Sequence, residues 1–200
     1  MTANNPLLTN LIDYEDSVLI VIDVQDSFLA KLPVLENRFL VSRIGWLVQV
    51  AAALDIPLVV TAEDIPNMGG VSTGIEAKLP PDLQVYNKMI FGLVDNPEIL
   101  GAVKAAGRKT AILVGLETDV CIAHSALGLL GLGYQVAVVA DATGSPGDAH
   151  QYGLQRMQAA GVVITSIKSL YYEWVRTVKH SEELGEQFGR EWGFPEGITF

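Results

Sequence analysis

The sequence predicts an α/β fold: a parallel sheet with helices covering both faces. Short, near-continuous apolar runs rich in β-branched residues recur along the chain, as in strands buried on both sides. Segments with helical spacing alternate with them, the pattern of a sheet wound by crossover helices. Half of the 200 residues are hydrophobic, enough for one compact domain over residues 1–200 with a sizeable core.

SVLIVID (17–23) is the first strand, and ENRFLVSRIGWLVQVAAAL (36–54) has helical spacing after it. IPLVVTA (56–62), QVYNK (84–88), TAILVG (110–115), YQVAVVAD (134–141) and VVITS (162–166) are the further strands. The helices between them are NPEILGAVKAAG (96–107), DVCIAHSALGLLGLG (119–133) and GDAHQYGLQRMQAAG (147–161). Several of these end in Gly, which closes a helix with a left-handed residue. The last segment reads as one long C-terminal helix, about 168–190. The stretch 63–82 has little pattern of its own, as expected of a lid or binding loop, with Met68, Gly69 and Gly70 as lid residues.

Composition excludes several function classes. The net charge of −10 and pI near 4.6 disfavour nucleic acid and anionic membrane surfaces, both of which attract basic patches. The one cysteine cannot form an internal disulfide, which fits a reducing cytoplasm. The N-terminus has no basic stretch followed by an apolar core, and no apolar run reaches the roughly 18 residues of a membrane span.

In a parallel α/β sheet, ligands bind beyond the carboxyl ends of the strands. Asp23, Glu63, Asp64, Lys88, Thr118, Asp119, Cys121 and Asp141 all fall there. Cys121 opens a helix, where the macrodipole and free N–H groups lower a thiol pKa and can hold an oxyanion. His124 shares a helix face with Cys121 but lies one turn deeper, away from the crevice. Asp23 is the better base, since a carboxylate ending a buried strand needs a partner, and Lys88 would supply the cation.

VLIVIDVQDSF, NKMIFG and GLETDVCIAHSALGLLGLGYQVAVVADATGS resemble the isochorismatase-like cysteine hydrolases, the likeness running from about residue 17 to 166. The resemblance implies a doubly wound, six-stranded parallel sheet of order 3-2-1-4-5-6, a catalytic triad of Asp23, Lys88 and Cys121, and homo-oligomers. In that order the third strand is remote from the first, so Lys88 must reach in by its length or by a turn. Nicotinamidases of this superfamily carry an Asp-x-His metal motif after the second strand, whereas this chain reads TAEDIPNMGG, with no histidine before His124. Glu63 and Asp64 alone are a weak transition-metal site, so neither metal nor cofactor is expected. True isochorismatases lack the nucleophilic cysteine, so Cys121 points to a C–N bond in a small amide or carbamoyl compound.

The expected mechanism has Asp23 take the thiol proton as Cys121 attacks the carbonyl carbon. Backbone N–H groups of Cys121 and Glu117 hold the oxyanion, and the resemblance suggests a cis bond before Glu117. Asp23 returns its proton to the leaving amine and then activates water against the thioester. Gln25 would orient the carboxylate or the substrate, and Phe28 and Phe91 would wall the pocket. The rival of another class is a catalytically silent scaffold that senses redox state or oligomerises.

Overall fold

The structure, a computed structural model, describes residues 10–188 and 194–199. Six strands form its sheet: β1 (Ser17–Ile22), β2 (Leu58–Glu63), β3 (Val85–Lys88), β4 (Thr110–Leu116), β5 (Gln135–Gly144) and β6 (Val163–Thr165). Their order is β3-β2-β1-β4-β5-β6, and every neighbouring pair is parallel.

The helices are α1 (Asp26–Leu29), α2 (Val34–Ala53), α3 (Ile65–Met68), α4 (Thr73–Glu76), α5 (Pro97–Ala105), α6 (Ala123–Gly131), α7 (Ala149–Ala159), α8 (Ile167–Val175) and α9 (Val178–Phe188). β1 and β4 are central and buried at every position, which is why their sequences are apolar without alternation. Alternate residues serve opposite layers. Leu19 and Val21 pack with Leu40, Ile44 and Leu47 of α2 and with Leu170 and Trp174 of α8. Val18, Ile20 and Ile22 pack with Ile99 and Val103 of α5, Ala126 and Leu129 of α6, and Met157 of α7. The sheet is therefore doubly wound.

Three local expectations change. The stretch 63–82 holds the one-turn helices α3 and α4, and Ile75 of α4 is fully buried against the α2 layer. The segment is tied down further where the Ser72 N–H donates to Val24 O (2.7 Å). β5 runs three residues beyond the apolar run, through ATG, with a register shift against β4 between Leu113 and Gly115. The C-terminal segment is not one helix: Arg176, at φ 62, ends α8 before α9 begins. Residues 189 and 190 of that expected helix lie outside the described residues. Among the described residues, no helix is long and apolar enough to cross a membrane.

Candidate active site

β1 delivers Asp23 to the carboxyl edge of the sheet. The chain turns there through φ 52, a left-handed conformation that Asp tolerates better than most residues. The turn is fixed against β2: the Asp23 N–H donates to Thr61 O (3.1 Å) and the Thr61 hydroxyl donates to Asp23 Oδ1 (2.8 Å).

Lys88 solves its distance problem by length. It ends β3 opposite Glu63 of β2, and β2 separates it from β1. Its side chain is fully buried and crosses the end of β2, bringing Nζ to 2.9 Å from Asp23 Oδ2. Nζ also donates to Glu63 Oε2 (3.3 Å), Ile90 O (3.2 Å) and Cys121 Sγ (3.5 Å). Burying an ammonium costs several kcal/mol unless it is paired and hydrogen-bonded. Here every direction of the head group meets an acceptor.

Cys121 comes from the other side, after β4. Gly115 stands at φ 122, and a Cβ there would collide with Ile22 O, so only glycine lets β4 close on the end of β1. The Leu116–Glu117 peptide bond is cis. Thr118–Ile122 then forms one turn of π-helix that leads into α6. π-turns concentrate at functional sites. Cys121 lies in this turn, 3% exposed, and its thiol donates to Glu63 Oε2 (3.3 Å).

The electrostatics correct the expected thiolate. Burial pushes the Cys121 thiol well above its usual range, and the Asp23 and Glu63 carboxylates add to this against the pull of Lys88. That direction favours the neutral thiol at rest, with burial as the largest cause and the two carboxylates adding to it. Burial likewise raises the Asp23 carboxyl above the ordinary carboxylate range, although Lys88 and Thr61 pull it down. Lys88 loses by burial, but Asp23, Cys121 and Glu63 together hold its ammonium above the ordinary lysine range. A base with a raised pKa beside a neutral thiol is a poised proton-transfer pair.

The sequence places Glu63 at the same edge, at the end of β2, as a weak metal ligand; the structure turns its carboxylate onto the Lys88 ammonium and the Cys121 thiol. Asp23, Glu63 and Cys121 offer ligand atoms within 4.8 Å of one another. The Lys88 ammonium already supplies the positive charge among them, so this donor set does not fit a resident metal. Asp64 points elsewhere, its carboxylate accepting from Asn67 Nδ2 (2.9 Å).

Of the remaining expected residues, Gln25 is tied directly to the cluster through the Glu63 backbone. Gln25 is fully buried and clasps β2: Nε2 donates to Glu63 O (2.8 Å) and Gly69 O (2.7 Å), and Oε1 accepts from the Glu63 N–H (2.7 Å). Phe28 sits in the α2 core with Lys31 Nζ 4.5 Å above its ring, and Lys31 pairs with the Glu117 carboxylate (2.9 Å). Phe91 is 54% exposed and meets His124 edge-on. The π-turn is held from α7, where His150 Nδ1 lies 2.9 Å from the Thr118 hydroxyl, while the Ser145 hydroxyl donates to Asp119 Oδ1 (2.6 Å).

With this geometry, comparison with known proteins is decisive about family. The family model of the isochorismatase domain matches residues 17–169. The chain belongs to the isochorismatase family. A secreted isochorismatase effector of Phytophthora sojae is 34% identical over 164 residues, covering 78% of this chain and 76% of its own. Among solved structures, the YcaC gene product of Escherichia coli, an octameric hydrolase of unknown specificity, superposes with a TM-score of 0.79 at 23% identity, covering 92% of this chain and 93% of that one. N-carbamoylsarcosine amidase from Thermoplasma acidophilum superposes at 0.63 with 20% identity, covering 76% and 96%. At these identities the two structures establish the fold. This isochorismatase-family chain thus keeps a hydrolase fold with Asp23, Lys88 and Cys121 close together at its carboxyl edge.

Proposed function

We propose that the protein is a cysteine-dependent hydrolase that cleaves a small amide or carbamoyl C–N bond through a thioester. The observation that carries this reading is the Lys88 ammonium standing between the Asp23 carboxylate (2.9 Å) and the Cys121 sulfur (3.5 Å), all three side chains buried. Packing alone does not require a cation, an anion and a thiol at one buried point, and each of the two charges is costly there without the other.

Asp23 takes the thiol proton as the sulfur attacks the carbonyl carbon. Lys88 holds the carboxylate in place and lowers the cost of negative charge on sulfur. The backbone N–H groups of Glu117 and Cys121 receive the oxyanion. The C–N bond breaks as Asp23 gives its proton to the leaving amine. Water then hydrolyses the thioester and restores the thiol. Phe91, exposed three residues after Lys88, would wall the substrate pocket, Phe28 lies in the α2 core, and Gln25 fixes the edge of β2. No metal or other cofactor takes part in these steps.

Met89, Ile90 and Phe91 are exposed in succession directly after Lys88 (64%, 45% and 54%). Consecutive exposed apolar residues mark association surfaces, and the octameric fold neighbour supports the same reading, so the working form is a homo-oligomer. The lone free thiol supports a cytoplasmic location.

The test is ammonia release from a panel of primary amides, carbamoyl and ureido compounds, with Cys121→Ala as control. Turnover by the wild type alone supports the proposal. Equal turnover by Cys121→Ala contradicts it, and no turnover of any member favours the silent scaffold.

A further inference from the structure

We propose that Glu63 is a second catalytic carboxylate, the base that activates water against the thioester, so that Asp23 and Glu63 divide the two halves of the reaction. This rests on the thioester reading above. A single carboxylate could serve both halves only if water reached it. Asp23 is fully buried, its Oδ1 accepts from Thr61 and its Oδ2 faces Lys88. Oδ2, ion-paired to Lys88 but without a hydrogen bond of its own, is the oxygen left to take the thiol proton, and no solvent touches the side chain in the free enzyme. Glu63 reaches the same sulfur from the outer side. Its side chain is 20% exposed. Oε2 contacts both the thiol and Lys88 at 3.3 Å, and Oε1 is not engaged by any described residue. Of the two carboxylates, Glu63 is the one with solvent exposure and so the one that an incoming water meets. The backbone of Glu63 is also clamped on both sides by the Gln25 amide, which fixes where that carboxylate stands.

The step balances within these groups. With the acyl group on Sγ, Glu63 takes one proton of an incoming water as the oxygen bonds to the acyl carbon. The C–S bond breaks, and the sulfur recovers that proton from Glu63 across the 3.3 Å contact. The acid leaves, and the thiol and carboxylate are as they began.

The test needs no knowledge of the natural substrate. p-Nitrophenyl acetate acylates a reactive cysteine and reports acylation as a burst and deacylation as the slower linear phase. In Glu63→Gln, the burst should keep its amplitude while the linear phase falls by about 10²-fold or more, the usual contribution of a general base. The acetyl group should then accumulate on Cys121, read by intact mass. Hydroxylamine, which needs no base, should restore turnover of the variant. A linear phase within threefold of wild type, or a slow phase that hydroxylamine does not rescue, overturns the role of Glu63 alone. A burst equal in wild type and Cys121→Ala overturns the thioester reading and this proposal with it.

Discussion

At the scale of single residues, the cluster works by mutual compensation, which makes each member costly to remove. Lys88→Met leaves the Asp23 carboxylate buried without its cation. Loss of one partner of such a pair costs about 3–5 kcal/mol, less where Asp23 escapes by binding a proton. The midpoint of denaturant unfolding should fall accordingly, and turnover should be lost. A midpoint equal to wild type would contradict the pairing. The thiol gives a second expectation. Because burial and two carboxylates raise its pKa, alkylation of the free enzyme should be slow at neutral pH and still rising at pH 10. A plateau below pH 8 would show a preformed thiolate. Asp23, Lys88 and Cys121 were legible in the sequence because each follows a strand at the edge where such sheets bind ligands. The protonation state of the sulfur was not. The helix-terminus argument is local, whereas the burial and the carboxylates that oppose it depend on β1 and β2, remote in the chain. Glu63 was visible by position, but nothing in the sequence says that its side chain turns toward Cys121.

At the scale of elements, the π-turn carrying Cys121 is positioned by α7. A Cβ on Gly153 would lie 2.8 Å from the Asp119 backbone, so helix and turn touch without a side chain between them. Gly153→Ala should push the turn outward, destabilise by about 1–3 kcal/mol as overpacking does, and lower kcat more than it raises KM. Unchanged kinetics would mean that the turn does not depend on this contact. His150 supplies a pH signature for the same join. Burial holds its ring below the ordinary histidine range, against the opposing pull of Glu36 and Asp119. Folding thus favours the neutral ring. Its contribution is full above the unfolded pKa of about 6.5, and it is lost as pH falls through the lower folded value. Unfolding midpoints should therefore drop between pH 7.5 and pH 5, and His150→Gln should flatten that slope. An equal slope in the variant would assign the acid sensitivity elsewhere. The strands and the longer helices were readable from apolar runs and Gly stops. The break at Arg176 was not, because no Pro or Gly marks it. The helices α3 and α4 were also missed, since one-turn helices show no period.

At the scale of the whole molecule, the doubly wound order explains why a remote lysine meets an aspartate. It places β2 between them at a width that one extended lysine spans. The α/β class and the edge positions of Asp23, Lys88 and Cys121 follow from patterning, and the strand order from the family resemblance, whereas the surfaces left exposed depend on loops that show no pattern. Met89, Ile90 and Phe91 lead to the expectation of a homo-oligomer by light scattering, reduced to smaller species when Met89 and Phe91 are replaced by serine. A monomeric wild type would refute it. The central claim is that Cys121 carries the acyl group of an amide during turnover. Its most direct measurement is the mass of the enzyme quenched during steady-state hydrolysis of the best amide substrate. The account predicts one acyl group, mapped to the Cys121 peptide, present in wild type and absent from Cys121→Ala and Asp23→Asn, neither of which turns over. Sustained hydrolysis with no adduct on Cys121, at a rate that Cys121→Ala matches, would contradict it.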